Sequence, residues 1–314
     1  QRWLKFTKYL PSSGWLPVVI TVKPECAAYP FKDISLYGEI PLDVEIHRTK
    51  AINYFSLYNK DQSKIPGSGF ATGTDRGWKE VLSRFIRGNF FIPDPRKGWN
   101  RYAFRKACEL IKVENISHII TTSPPHSTQL IGLRLKRRFP HLKWVADLRD
   151  PWTDIYYYDM FKPSFLAKMA DREMEKNVLT KADTIITVGQ TLASILGSKA
   201  EKIAQKIHVL PNGYDEEDFE GIIPITPDEF IITYVGTLSP VYPVGGLIEA
   251  VRDLKVDGKH VSFKFVGTVS ESVQKLFPDR AGNHPQFIPY CEHPEAIRHM
   301  MESTLLLLIV PDHP

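Results

Sequence analysis

The chain has 314 residues, 43% hydrophobic and 24% charged, a globular composition that excludes disorder as its theme and leaves room for two domains. Forty Lys and Arg against thirty-six Asp and Glu give a formal charge of +4, too small an excess to argue for nucleic acid, though compatible with an anionic ligand or lipid surface. Cys26, Cys108 and Cys291 share no C-x-x-C spacing, so neither a zinc site nor a disulfide framework is expected, and a reducing compartment is. The longest aliphatic run, Leu305–Val310, is far short of the roughly 20 residues of a spanning helix. No signal-peptide pattern opens the chain, which starts at Gln1 rather than Met.

In chain order, the first element is a helix over Gln1–Leu10 with Arg2, Lys5 and Lys8 on one stripe among Trp3, Leu4, Phe6 and Leu10. A docked helix with a solvated face is the commoner explanation of that stripe, and rest on an anionic membrane surface is the alternative. Strands are expected at Pro17–Val22, Asp43–Arg48, Ser117–Thr122, Lys143–Asp147, Asp183–Val188 and Lys206–Leu210. Helical patterns cover Trp99–Val113, Ser127–Arg138, Pro163–Thr180 and Gln190–Leu196. Most of the strands are continuous apolar runs, as expected where helices cover both faces of a parallel sheet. Gly67–Thr74 (GSGFATGT) reads as a mobile loop, and Asn59–Trp78 as a whole carries no dependable signal.

Pro211–Asp228, rich in Gly, Pro and acids, reads as a linker. The alternation then restarts with strands at Phe230–Gly236, His260–Gly267, Gln286–Tyr290 and Leu305–Val310. Helices are expected near Val244–Leu254, Ser270–Phe277 and Pro294–Met301. The chain is expected to be incomplete at both ends, because it opens with a helix and stops at the fourth strand of its second series.

Four strand ends carry chemistry. Tyr234-Val-Gly-Thr-Leu238 places Gly236 where a phosphate can approach the backbone ahead of a helix, and Phe265-Val-Gly-Thr268 repeats the arrangement with Gly267. One such glycine is commonly just a tight turn; two in tandem favour nucleotide binding. Ala146-Asp-Leu-Arg-Asp-Pro-Trp-Thr-Asp154 gathers Asp147, Asp150 and Asp154 with Arg149 and Trp152, groups that suit sugar hydroxyls and stacking on an indole. An N-cap with a local salt bridge is its plainer explanation. Thr121-Thr-Ser-Pro-Pro-His-Ser127 sets His126 at a helix start, where the dipole should keep it neutral and able to accept a hydrogen bond. A solvent-facing capping residue fits the same letters. No Asp-x-Asp is present, so a departing diphosphate would depend on backbone amides and basic side chains rather than a metal.

Taken in order, TTSPPHS (121–127), ADLRDPWTD (146–154), KADTIITV (181–188), VLPNGYDEEDF (209–219) and ITYVGTL (232–238) resemble glycosyltransferase family 4. RGNFFIPDPRK (87–97) resembles a segment of one bacterial branch acting in cell-surface polysaccharide synthesis. The resemblance implies a GT-B fold: two Rossmann-like parallel-sheet domains, here residues 1–210 on the acceptor side and 229–314 on the nucleotide-sugar side, joined by the linker 211–228. It implies a retaining, metal-independent hexosyltransferase needing no cofactor beyond its nucleotide diphosphate sugar donor. A lipid-linked or oligosaccharide acceptor is implied too, in the cytoplasm, with peripheral contact at the inner face of the cytoplasmic membrane as an option.

Carried over by position, His126 sits beside the transferred sugar, Asp150 lies at the cleft floor and Arg149 is close by. Asn212 and Gly213 form the hinge, Gly236 and Thr237 contact the diphosphate, and Gly267 and Tyr290 border the base. The sequence departs from the family at Thr237–Pro243, which lacks the usual Arg and Lys. The glycine-rich loop before the first helix and the later glutamate-bearing motif are absent from these 314 residues, so weak or no activity is expected of them alone. A nucleotide-sugar epimerase and a non-catalytic nucleotide-sugar-binding module are the alternatives.

Overall fold

The protein is described here by a computed structural model covering residues 1–27, 33–54, 78–223, 228–240, 242–251, 255–256, 259–277 and 285–310. Its first half holds β1 (Val18–Val22), β2 (Glu45–Thr49), β3 (His118–Ser123), β4 (Lys143–Leu148), β5 (Thr184–Thr187) and β6 (Ile207–Val209). Strands β3-β4-β5-β6 form one parallel sheet in that order, while β1 and β2 pair in parallel as a separate two-stranded sheet. The helices are α1 (Arg2–Tyr9), α2 (Trp78–Phe90), α3 (Asn100–Val113), α4 (Gln129–Arg138), α5 (Phe165–Lys181) and α6 (Gln190–Gly197).

The continuous apolar strands are buried as their composition requires. Trp144, Ala146, Leu148 and Ile185 are wholly buried with Val178, Leu179 and Leu196. A second cluster joins Ala103, Ala107 and Ile111 of α3 to Ile131, Leu135 and Leu142. Each large side chain removed from water in this way stabilises the fold by roughly 1.5–3 kcal/mol.

The second half repeats the plan with β7 (Phe230–Leu238), α7 (Gly245–Val251), β8 (Lys255–Val256), β9 (Lys259–Val269), α8 (Glu271–Gln274), β10 (Gln286–Ile288), α9 (His293–Met301) and β11 (Leu305–Leu306). Its parallel order is β10-β9-β7-β11, with β8 antiparallel on β9. The chain runs outward from β7 through β9 to β10, then returns to the other side of β7 for β11. That reversal makes the carboxyl end of β7 a topological switch point, where open α/β sheets leave a crevice.

Most expected elements are present, with shifted ends. The strand expected over Leu305–Val310 is confined to Leu305–Leu306, and Leu308 and Val310 stay exposed. Helix α2 was not foreseen. It docks through its carboxyl half, where Arg87 lies 3.8 Å over the Phe161 ring. Gly88 is required there, because a Cβ would sit 2.3 Å from the Phe161 carbonyl oxygen. The loop expected at Gly67–Thr74 and nearly all of Asn59–Trp78 lie outside the described residues, as do positions 224–227 of the linker.

Candidate functional site

The carboxyl ends of β3 and β4 are braced from below by side chains. Gln129, wholly buried, accepts from Thr121 Oγ1 at 2.6 Å and donates to the Asp147 carbonyl at 2.8 Å. Asp94 fixes the turn that follows β3: its carboxylate accepts from the Ser127 amide at 2.7 Å, the Ser127 hydroxyl at 2.8 Å and the Arg96 amide at 2.9 Å. Asn100 Nδ2 donates to the Ser127 carbonyl at 2.8 Å. The RGNFFIPDPRK stretch therefore holds the loop that presents His126.

His126 stacks on Trp152, ring centroids 5.0 Å apart and 13° from parallel. The ring keeps partial exposure, and its Nδ1 is buried without a protein partner. Burial pulls its pKa down to about 4, opposed by a hydrogen bond to the Pro151 backbone and aided by the charge of Lys199. Desolvation thus favours the neutral imidazole at pH 7.

The ADLRDPWTD carboxylates separate into different roles. Asp147 is wholly buried and accepts from Trp3 Nε1 at 2.6 Å and Thr122 Oγ1 at 2.8 Å, with Arg2 Nε 3.6 Å away. Asp154 pairs with Lys199, which also holds Glu175 at 2.7 Å. Asp150 alone of the three makes no side-chain hydrogen bond or ion pair among the described residues; burial raises its pKa while the neighbouring Arg149 opposes the shift. Trp152 is not the sugar platform its position suggested. It is 2% exposed, and its Nε1 donates to Asp171 at 2.7 Å, so one ring face is spent on His126 and the edge on α5. Asp171 also accepts from Tyr158 at 2.9 Å, and burial raises its pKa to about 6.

The carboxyl ends of β7 and β9 are bare backbone. Register places Gly236 of β7 directly beside Gly267 of β9. Both have positive φ, +150° and +120°, and a Cβ on Gly267 would lie 2.3 Å from the Gly236 carbonyl oxygen. Here only glycine fits, and the strand ends are left bare. Gly236, Thr237, Gly267 and Tyr290 line one cleft of about 260 Å³, together with Cys291 and His293. Gln1 and Asp33 from the first half close it. His126, Arg149 and Asp150 are not among the residues that line this cleft. Arg149 itself donates to the Ser123 carbonyl at 3.2 Å. The cleft lining includes no Lys or Arg among the described residues, in line with the uncharged Thr237–Pro243 loop.

The two sides meet along α1. Arg2 donates to the Leu210 and Pro211 carbonyls and, at 2.8 Å, to Asn212 Oδ1. Gly213 is exposed, with no atom near the place of its missing Cβ. Lys5 pairs with Glu39, Asp215 and Asp218, and Lys8 with Asp215 and Glu217. The α1 cations are thus bound to this chain's own acids. Although burial works against it, hydrogen bonds from Tyr9, Lys8 and Lys5 hold the Asp215 carboxyl well below the usual range. His293 bridges Gln1 and Asp218 at 3.0 Å each, and its amide donates to Asp33 at 3.0 Å. Among the described residues Glu39, Asp218 and His293 lie close enough to share an ion, but the Lys5 ammonium is already paired with both carboxylates.

Sequence reasoning missed Asp94, Asp171, Glu175, Lys199, Asp33 and Gln1. Asp94 had a readable signal: Asp followed by Pro is an N-cap with proline at the first helical position, and a short helical turn does begin at Pro95.

No protein-family model matches the chain, and no curated protein matches it in sequence. Solved structures do. Sucrose-phosphate synthase from Thermosynechococcus elongatus aligns over 96% of this chain and 67% of its own, at 14% identity and a TM-score of 0.54. The chain has the GT-B fold. Anabaena HepE, solved with UDP and glucose, aligns over 93% of this chain and 73% of its own, at 13% identity and a TM-score of 0.49. The lipopolysaccharide outer core galactosyltransferase WaaB aligns over 68% of this chain, at 12% identity and a TM-score of 0.45, and the present chain spans 54% of its length. The synthase match is the one that carries the fold, and at that identity it carries the fold alone.

Proposed function

We propose that the protein is a glycosyltransferase that moves a hexose from a nucleotide diphosphate sugar to a hydroxyl of a lipid-linked or saccharide acceptor. The observation that carries this reading is the common lining of one cleft by Gly236, Thr237, Gly267 and Tyr290, at the switch point of the second sheet. A diphosphate there is met by backbone N–H groups of the two glycine turns, and Arg149 is the side chain assigned to carry positive charge toward it. Tyr290 borders the base. His126, neutral at pH 7, accepts a hydrogen bond from a hydroxyl of the donor sugar, and the Asp150 carboxylate faces the positive charge that develops on that sugar as the diphosphate departs. Asn212 and Gly213 serve as the hinge. The reading includes retention of anomeric configuration, no bound metal, a place in glycosyltransferase family 4 and a cytoplasmic location. Synthases and transferases of sugars share the fold, which supports the class of reaction.

A thermal-shift panel of nucleotide diphosphate sugars tests the donor site, since a ligand that binds the folded state raises the midpoint through linkage. His126→Ala should lower transfer by about 100-fold while donor binding changes little, the pattern of a group acting after binding. Free nucleotide released without a glycosylated product would replace transfer by epimerisation. Donor binding without turnover by the complete protein would leave only a binding module.

A further inference from the structure

Helix α5 turns two carboxylates inward. Its buried stripe runs through Ala167, Asp171, Glu175 and Val178, about one turn apart. Asp171 is 4% exposed and Glu175 1%, at positions where apolar side chains would cost the fold less. Each acid reaches a different residue of one short segment, the exit of β4. Asp171 Oδ1 accepts from Trp152 Nε1 at 2.7 Å, and Glu175 Oε2 accepts from Thr153 Oγ1 at 2.6 Å. Lys199 closes the second contact by donating to Thr153 Oγ1 at 3.1 Å and to Glu175 at 2.7 Å.

Two successive residues are thus gripped from one helix face, and the first of them carries the ring of His126. The Trp152 indole lies 13° from parallel to that imidazole, with centroids 5.0 Å apart. A stacked ring is held only as firmly as its partner is held. The indole has one polar atom, and Asp171 takes it. The other oxygen of Asp171 accepts from the Tyr158 hydroxyl at 2.9 Å, so the carboxylate is clamped on both sides. Asp94 fixes the main chain beside His126 through the Ser127 amide. The rotation of the imidazole is left to the Pro151 backbone and the stack.

We propose that Asp171 is a positioning residue for His126 that acts through the Trp152 indole, while Glu175 and Lys199 pin the next residue, Thr153. A carboxylate that served only to satisfy an indole would be replaceable, together with the indole, by an apolar pair of similar volume. One that aims a neighbouring ring is not replaceable in that way. The proposal deepens the functional reading and rests on it only for the effect on transfer. The orientation of the imidazole is a property of the chain itself.

The test is nuclear magnetic resonance of the full chain, isotope-labelled at histidine and at aromatic rings. The chain has ten histidines, so His126→Gln assigns the signal. The parent should show a nuclear Overhauser contact between the His126 Cε1 proton and the residue-152 ring. Asp171→Leu should lose that contact while far-ultraviolet circular dichroism stays as in the parent. Asp171→Asn should keep it, because its amide can bond both the indole N–H and the Tyr158 hydroxyl. Trp152→Phe retains an aromatic face without the N–H, and should lose the contact as well. A contact preserved in Asp171→Leu would overturn the proposal, as would its loss in Asp171→Asn. Should Asp171→Leu fail to fold, Trp152→Phe decides in its place, and a preserved contact there overturns the proposal equally. In transfer assays Asp171→Leu should lower kcat by about tenfold with the donor KM unchanged, and Asp171→Asn should restore it. A lost contact with unaltered transfer would uphold the positioning and count against His126 as a sugar contact, so the two failures are told apart.

Discussion

The two strand-end rims, β3–β4 and β7–β9, are built from opposite materials. On the β3–β4 side nearly every polar side chain is bonded to another part of the protein: Asp147 to Trp3 and Thr122, Trp152 to Asp171, Thr153 to Glu175, Ser127 to Asp94. On the β7–β9 side there is little but backbone, opened by two adjacent glycines. Polar residues at a strand exit are thus weak indicators of ligand contact, since a buried carboxylate needs partners for its own sake. A glycine forced by contact with its neighbour's carbonyl is a stronger one. The first rim is a framework that aims a few groups, while the second is a surface awaiting a ligand.

Substitutions can break that contrast. The largest effect is expected of Gly267→Val. Its Cβ would collide with the Gly236 carbonyl at a φ of +120°, and the fold should lose about 3 kcal/mol or more, read as the unfolding midpoint in denaturant. Asp171→Ala comes next, at about 2 kcal/mol, because Trp152 Nε1 and the Tyr158 hydroxyl lose their acceptor; near-ultraviolet circular dichroism should also report the freed indole. Its pH dependence has a definite sign. Burial raises the Asp171 pKa from 3.8 to about 6, so the folded state holds the proton more tightly than the unfolded one. Stability relative to Asp171→Asn should then fall as pH rises from about 4 to 6 and level off above. A difference that grew over that range would mean the carboxylate is stabilised by charge instead.

Asp215→Asn should act in the reverse direction. The wild-type advantage is present above the ordinary carboxylate range and is lost as pH falls below it, because the folded pKa is depressed. A smaller effect on stability than at Gly267, about 1–2 kcal/mol, is expected of Gly236→Ala, where a φ of +150° strains any side chain but the added Cβ would meet only the Tyr234 side chain, nearest at its hydroxyl, 3.2 Å. That variant should nonetheless weaken nucleotide diphosphate binding by about tenfold in calorimetry, through backbone crowding. If it binds the nucleotide as well as the parent does, the second rim is no more a ligand surface than the first.

Much of the fold was legible because buried parallel strands announce themselves as unbroken apolar runs; every strand but β8 was foreseen, though not that β1 and β2 form a sheet of their own. The glycine pair was legible for a related reason: its constraint is local to two strand ends. Trp152 was misread because an indole between carboxylates looks the same whether it faces a sugar or Asp171, which lies on a different element. Helix α2 escaped because its apolar stripe faces outward and its end is broken by Gly88 and Asn89, residues whose purpose is contact with the 161–164 turn. The α1 cations were read as a stripe facing water or lipid, since the acids that bind them lie some thirty to two hundred positions away, at Glu39 and in the 215–218 turn.

The grip of Arg2 on three successive residues, Leu210, Pro211 and Asn212, has a practical side. The segment leaving β6 cannot swivel without dragging α1, and α1 is pinned in turn to the 215–218 turn and, through Gln1, to α9. The first nine residues work as a splint across a joint. Displacing α1 would loosen the alignment of both sheets at once.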